Sequence, residues 1–177
     1  MLNKKALLAA ALTALVTFGA SAAPAASGAT ATGNFTVNLT VNSTCTVTTT
    51  TASNVTFTPV VANTTPGIGS GQFSVNCSNT TPFNIGLAPS NNSTTGAGVM
   101  AGHGGATIAY QLYQDSGATT VWGNTATSSS TGNGRSGIGA GMATAQALSE
   151  TVYAAVTGST NVAPGTYSDT VTINVNY

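Results

Sequence analysis

Residues 170–177, TVTINVNY, alternate strictly between polar and apolar side chains. In an extended chain, Val171, Ile173, Val175 and Tyr177 would point to one side and the intervening Thr and Asn residues to the other. One apolar and one polar face is typical of a strand in an antiparallel sheet with one buried surface. This stretch therefore predicts a β protein.

The same period of two recurs along the chain, and no window holds a convincing helical stripe. The other alternating runs begin at Phe35, Phe73, Phe83, Ile108 and Val152. Turn signals rich in Pro, Gly and Asn separate them, at spacings that suit a sandwich of roughly seven strands. The pattern predicts a single all-β domain after the N-terminal region.

Three stretches fit this pattern less well. Gly96–Gly105 and Thr125–Gly141 are glycine-rich and longer than usual connections, so we expect mobile loops or excursions at the edge of a sheet. Met142–Ser149 has mild helical propensity but neither a cap nor the length to support a helix, and its structure is left open.

The composition is unusual for a soluble protein. Only 3% of the 177 residues are charged, whereas 41% are hydrophobic; ordinary soluble proteins have about 25% charged residues. Hydroxyl and amide side chains must therefore provide the solubility, and disorder driven by charge repulsion is excluded. Three basic residues cannot neutralise a row of phosphates, which makes nucleic acid an unsuitable partner.

The N-terminus has the order of a signal peptide. Lys4 and Lys5 precede an apolar run, Ala6–Phe18, and Ala20-Ser21-Ala22 offers the small residues that a signal peptidase accepts. A membrane span is the alternative, but the run is shorter than the roughly 20 residues that a bilayer core needs. We expect residues 1–22 to direct export to the periplasm, with cleavage after Ala22.

Export also sets the redox state of the cysteines. Cys45 and Cys77 are the only two in the sequence and would meet an oxidising compartment, where such a pair normally forms a disulfide. A loop of about this length predicts roughly 3–4 kcal/mol of stabilisation. Two free buried thiols are the alternative.

The residues needed for catalysis or metal binding are scattered. His103 lies in a glycine-rich stretch without a nucleophile elbow, and Asp115, Glu150 and Asp169 form no local ligand cluster. Gly132–Gly137 matches a dinucleotide fingerprint, but no βαβ pattern surrounds it. The sequence therefore predicts a protein that is not an enzyme and that has no cofactor and no metal.

Several motifs occur together in an order typical of one family. The sequence resembles the spore coat U family, which contains the pilins of the archaic, Csu-type chaperone–usher pathway. The motifs that carry this resemblance are Gly33-Asn34-Phe35-Thr36-Val37-Asn38-Leu39, Cys45-Thr46-Val47, Val75-Asn76-Cys77, Tyr110-Gln111-Leu112-Tyr113-Gln114-Asp115, Trp122-Gly123 and the ending Pro164–Tyr177.

The resemblance implies an incomplete immunoglobulin-like β-sandwich that lacks its last strand and is completed by a donor strand from a neighbouring subunit. The implied donor side chains are Phe35, Val37, Leu39 and Val41. The implied acceptor groove, which a periplasmic chaperone would also contact, is formed by Tyr167, Val171, Ile173, Val175 and Tyr177.

The expected organisation is a signal peptide (1–22), an N-terminal extension with the donor strand (23–42) and a pilin domain (43–177). The resemblance implies a structural subunit of a bacterial surface fibre for adhesion and biofilm, with sister pilins, a chaperone and an outer-membrane usher as partners. The alternative is a secreted single-domain adhesin that folds alone and binds glycans through its glycine-rich loops and Trp122. Packing over the hairpin that follows Gln111–Asp115 is the role that we favour for Trp122 over that of a ligand platform.

Overall fold

The structure, a computed structural model, describes residues 28–177. The expected signal peptide lies outside the described residues. Residues 28–39 and the body formed by residues 40–177 are separate units. The body contains eight strands: β1 (Cys45–Thr48), β2 (Gly69–Cys77), β3 (Pro82–Pro89), β4 (Ala97–Ala101), β5 (Thr107–Tyr113), β6 (Arg135–Ile138), β7 (Leu148–Val156) and β8 (Val171–Asn176).

The strands form two antiparallel sheets. A five-stranded sheet has the order β1-β2-β7-β5-β4, and a three-stranded sheet has the order β6-β3-β8. Three short 3-10 helices, Thr51–Ser53, His103–Gly105 and Thr144–Gln146, interrupt the connections. The predicted all-β sandwich is confirmed. In the part of the chain that the structure describes, no helix is long and apolar enough to span a membrane.

The core lies between the inner faces of the two sheets. The core arises because apolar and polar side chains alternate along each strand. In β2, Phe73 and Val75 point inward, whereas Gln72 and Ser74 point outward. Trp122 is fully buried in this core, and its Nε1 donates a hydrogen bond to the Ile85 carbonyl oxygen at 3.0 Å. The core cluster consists of Phe73, Val75, Cys77, Phe83, Ile85, Leu87, Tyr110, Leu112, Trp122, Val152 and Ala154.

The two glycine-rich stretches each contain an edge strand, so edge excursions describe them better than mobile loops. Gly98 of β4 lies against the ring of Tyr110, and Gly137 of β6 lies against the ring of Phe83. A Cβ at either glycine would collide with that ring, which explains why small residues interrupt these strands. Met142–Ser149, the stretch left open, contains the 3-10 helix Thr144–Gln146 and the start of β7.

The connection before β6 is held by hydrogen bonds. The Asn133 side chain accepts from the backbone N–H and the hydroxyl of Thr125 and donates to the Thr94 carbonyl oxygen at 2.8 Å. Asn84 of β3 donates to the Thr127 carbonyl oxygen and accepts from the Thr131 hydroxyl. This connection therefore covers the outer face of the three-stranded sheet.

The two ends of the sandwich differ in what they carry. We call one end the near pole: it contains the start of β1, the turn between β2 and β3, residues 138–147 and the C-terminal Tyr177. We call the other end the far pole: it contains residues 59–68, 102–106 and 157–170, which connect the opposite strand ends. The N-terminal segment joins the body at the near pole.

Candidate functional site

The edge of the three-stranded sheet at β8 is open. Within residues 28–177, β8 pairs with β3 on one side and with no strand on the other. A strand in this position presents a row of free N–H and C=O groups that can pair with another chain. The sequence placed its apolar face correctly, because Val171, Ile173 and Val175 are partly buried and pack against the core.

A groove of about 810 Å³ lies beside this edge. Val171 and Ile173 of β8 line one wall, and residues 53–57 line the other. The core side chains Phe73, Leu87, Leu112, Val152 and Ala154 line the groove as well. The hydrophobic core is therefore reachable from outside along β8.

Three of the five predicted groove residues line this groove: Tyr167, Val171 and Ile173. Val175 packs against the core without lining it, and Tyr177 lies beyond the end of β8 with 50% of its surface exposed. At the near pole, where β8 ends, β1 of the other sheet is in contact with β8.

Val55, Phe57 and Met100 complete the apolar lining and were not predicted. Val55 and Phe57 are partly buried and alternate with exposed Asn54 and Thr56. This alternation is present in the sequence, but the segment is short and its flanking residues are polar. The pattern alone therefore does not predict a buried face.

The four predicted donor side chains are almost fully exposed. Phe35, Val37, Leu39 and Val41 expose 89%, 82%, 87% and 81% of their surface. Residues 28–44 contain no helix or strand, although their alternation had suggested a strand. Large apolar side chains are rarely exposed as a contiguous set unless they mark an interaction surface. Three residues after Val41, the backbone of Thr44 exchanges hydrogen bonds with Ser78, the residue that follows β2.

The disulfide between Cys45 and Cys77 is present. The two residues are directly opposed in the β1–β2 ladder, so the bond fixes the first residue of β1 to the last residue of β2. The point where the N-terminal segment joins the body is therefore covalently braced. Among residues 28–177, neither cysteine is free.

A polar pair holds the segment that leads into β8. The Tyr110 hydroxyl donates to the Asp169 carboxylate at 2.6 Å, and both residues line the groove. Burial, with the neighbouring carboxylate, raises the pKa of Tyr110. Burial alone would raise the pKa of Asp169 too, but hydrogen bonds from Ser90, Tyr110 and Thr170 lower it below the usual carboxyl value.

We expect Asp169→Asn to lower the free energy of unfolding at neutral pH by about 1.5–3 kcal/mol, because a carboxylate with several donors is replaced by a neutral amide. A lowered folded-state pKa contributes stability above the ordinary carboxyl pKa of about 4, and that stability is lost as the pH falls through the lowered value. The difference between the variant and the unsubstituted chain should therefore shrink in acid.

Urea unfolding at neutral pH and at about pH 3, followed by Trp122 fluorescence, measures this difference. Tyr110→Phe is the matched control, since it removes one donor and leaves the carboxylate; it should cost less than Asp169→Asn. Equal stabilities of Asp169→Asn and the unsubstituted chain at neutral pH would contradict the assignment.

The remaining charges lie away from the groove. Arg135 of β6 pairs with Glu150 of β7 at 3.1 Å and so links the two sheets. Burial raises the pKa of Glu150, and the Arg135 charge partly offsets this. Backbone donors, Thr120 first, lower the pKa of Asp115 at the tip of the β5 hairpin. These charges brace the sandwich and its hairpin.

Residues considered for catalysis are not brought together. His103 lies in the 3-10 helix His103–Gly105, and no group of three or more His, Cys, Asp or Glu side chains that could hold a metal occurs in residues 28–177. Gly132–Gly137 runs from a turn into β6, without a helix. Trp122, a possible ligand platform, is completely buried.

The fold is a two-sheet antiparallel β-sandwich with an open edge at β8 and a groove beside that edge. The sequence model of the Spore Coat Protein U domain matches residues 31–174, so the chain belongs to this family and the predicted resemblance is confirmed. No curated protein is a significant sequence match.

Two solved structures are similar to this chain. One is the CsuC–CsuE chaperone–tip adhesion subunit pre-assembly complex from archaic chaperone–usher Csu pili of Acinetobacter baumannii, with 20% identity, a TM-score of 0.52 and 78% of this chain covered. This chain spans 40% of the matched chain. The other is a chaperone–tip adhesin complex of CFA/I fimbriae biogenesis, with 14% identity, a TM-score of 0.43, and coverage of 75% of this chain and 41% of that chain.

Proposed function

We propose that the chain is a structural subunit of a bacterial surface fibre assembled by a chaperone–usher pathway. One observation carries this proposal: the core is open along β8, and four exposed apolar side chains lie on a segment that can extend beside such an edge. The groove and the N-terminal segment are separate surfaces of one chain. Contact between them in different copies is head-to-tail and generates an open filament.

The N-terminal segment has the chemistry of a donor strand. Residues 33–41 reach about 30 Å when extended, which is enough to run the length of a sandwich. Phe35, Val37, Leu39 and Val41 would insert into the groove of the preceding subunit, while Thr36, Asn38 and Thr40 face solvent. Backbone hydrogen bonds to the free edge of β8 would add a strand to the three-stranded sheet.

The proposed acceptor site includes Tyr167, Val171 and Ile173, together with Val55, Phe57 and Met100, which line the same groove. Val175 and Tyr177 remain part of the proposed chaperone contact, since a strand that runs along all of β8 would pass them. Before assembly, a periplasmic chaperone would cover the open edge, and an outer-membrane usher would then exchange it for the next subunit. The similar complex from Acinetobacter baumannii joins a chaperone to a tip adhesion subunit, which supports the chaperone step of this proposal.

The proposed organisation follows from these roles: a signal peptide in residues 1–22, the donor extension in residues 23–42 and the acceptor domain in residues 43–177. Export to the periplasm and final placement in a cell-surface pilus that serves adhesion and biofilm belong to the same proposal. No chemical step is involved, and no cofactor is required. The family and the fold are those of structural pilin subunits.

Expression of the full chain with and without its chaperone tests this function. We expect aggregation or degradation without the chaperone, because the core is reachable through the groove, and a soluble chaperone–subunit complex with it. Size-exclusion chromatography of periplasmic extracts gives the measurement. A stable, unassisted monomer would instead support the secreted adhesin; Trp122, one of the features on which that alternative depended, is buried and offers it no support.

A further inference from the structure

The outer face of β8 is held by side chains that do not line the groove. Asn174 and Asn176 lie on this face, whereas the apolar residues of β8 pack against the core. The Asn174 side-chain amide donates to Asn124 Oδ1 at 3.0 Å, and the Asn176 amide donates to the Asn84 carbonyl oxygen at 3.4 Å. Asparagine is depleted in strands. These hydrogen bonds explain why a strand of six residues contains two asparagines.

Asn124 reaches β8 across β3. The Gly123 carbonyl oxygen accepts a hydrogen bond from the backbone N–H of Leu87 in β3 at 2.8 Å, and the Asn124 N–H donates to the Thr94 carbonyl oxygen at 2.9 Å. The N–H and C=O groups of one strand residue point to the same side, so Gly123 lies beside β3 at the edge away from β8. The Asn124 side chain must therefore pass over β3 to contact Asn174.

Gly86 makes room for this crossing. It lies in β3 directly opposite Asn174, and a Cβ at position 86 would collide with Asn124 Oδ1. The Asn124 side chain thus occupies the space that a side chain of residue 86 would fill, and it becomes the cross-strand partner of Asn174. We call the contact between Asn124 and Asn174 over Gly86 the amide bridge.

β8 has few other restraints before a donor strand pairs with it. Among residues 28–177 it pairs with β3 alone, and its apolar side chains are only partly buried. The backbones of Ser168 and Ala101 exchange hydrogen bonds, which anchors the chain just before β8. Strands with few buried contacts open locally at a low cost in free energy. The amide bridge supplies an anchor in the middle of the strand.

We propose that Asn124 is a positioning residue for strand acceptance, and that its amide bridge keeps β8 paired with β3 until a donor strand arrives. This inference rests on the proposed function, because it makes the bridge a part of the acceptor site. Asn124 contacts the outer face of the three-stranded sheet and so acts on the donor only through β8. The apparent affinity for a donor falls in proportion to the fraction of molecules that hold β8 in place.

Paired carboxylates test the amide bridge. An amide can turn to present either its oxygen or its N–H. Asn124→Asp and Asn174→Asp therefore each keep one hydrogen bond, between the new carboxylate and the remaining amide. The double variant places two carboxylates against each other over Gly86 and keeps no hydrogen bond at neutral pH. The matched control combines Asn124→Asp with Thr172→Asp, which puts the second charge on the same face of β8 at an exposed position.

Capture of a synthetic peptide of residues 33–43 gives the measurement. The full chain is diluted from urea into increasing concentrations of the labelled peptide, and size-exclusion chromatography gives the captured fraction. The double variant should need about tenfold more peptide for half capture than the unsubstituted chain, whereas the single variants and the control should need at most about threefold more. At about pH 4.5 the double variant should recover, because one shared proton restores a hydrogen bond between the carboxyl groups; the control should not change.

Gly86→Ala displaces the bridge without altering either amide. It should raise the half-capture concentration about threefold to tenfold, because the added methyl group takes the place of Asn124 Oδ1. In a chain that already carries Asn124→Ala, the same change should have little further effect. A double aspartate variant that matches its control at neutral pH, or equal effects of Gly86→Ala in both backgrounds, would overturn the amide bridge and leave the proposed function standing. An unsubstituted chain that captures no peptide would instead overturn the proposed function itself.

Discussion

Val37→Asp or Leu39→Asp is expected to prevent subunits from joining, whereas Asn38→Asp should leave joining almost unchanged. All three positions are in the same exposed stretch, and Val37 and Leu39 expose 82% and 87% of their surface. The variants therefore differ mainly in which side of the strand receives the charge. Only positions 37 and 39 place a carboxylate in an apolar groove.

The size of the effect follows from what the groove would bury. Four inserted side chains contribute roughly 6–12 kcal/mol before the cost of association, at about 1.5–3 kcal/mol each. Replacing one of them by aspartate removes its share and adds the cost of placing a charge among side chains such as Leu112 and Val152. The contact between subunits, which would hardly dissociate in the unsubstituted chain, would therefore not persist in either aspartate variant.

The measurement is the amount of surface fibre per cell, together with the amount of chaperone–subunit complex. The complex should be unchanged in all three variants, because the acceptor groove is intact. Deletion of residues 23–41 should give the same outcome as Val37→Asp. Equal loss of fibre in Val37→Asp and Asn38→Asp would mean that the inserted face is wrongly assigned, and normal fibres after the deletion would defeat the donor assignment altogether.

The sequence predicted those strands whose alternation is uninterrupted. The runs at Phe73, Phe83, Ile108 and Val152 lie in β2, β3, β5 and β7, and residues 171–176 form β8. The missed strands are β1, β4 and β6, which are short and contain threonine or glycine where a strand pattern needs large apolar residues. Their place in a sheet depends on long-range neighbours, such as the ring of Tyr110 over Gly98, that periodicity does not reveal.

The sequence indicated the apolar face of β8 but not its surroundings, for a related reason. Alternation identified the apolar face of β8 but gave no information about which side of β8 lacks a partner. The opposite wall, with Val55 and Phe57, comes from a segment more than a hundred residues earlier in the chain. Val175 was assigned to the groove by the family resemblance; it packs against the core and does not line the groove.

The second large effect is expected when the missing strand is supplied within one chain. A copy of residues 33–43, appended after Tyr177 through a short turn, would run back antiparallel to β8 and bring Phe35, Val37, Leu39 and Val41 to the groove. We expect a stable monomer that needs no chaperone, because an intramolecular strand fills the groove and pays only the entropy of closing a short loop. The effect of Asp169→Asn on the free energy of unfolding can be measured in this same monomer.

The appended strand should raise the free energy of unfolding by an amount that approaches the roughly 6–12 kcal/mol of the inserted side chains, which is an upper estimate because the unfolded chain already buries some apolar surface. Thermal unfolding and size-exclusion chromatography measure the change. The control carries the same appendage with Val37→Asp and Leu39→Asp in the copy, and should behave like the unmodified chain. A filled groove must protect the core that β8 leaves open, so an appended strand that leaves the melting temperature unchanged would show that β8 does not accept it. A control that stabilises the chain equally would show the same, because its two aspartates cannot enter an apolar groove.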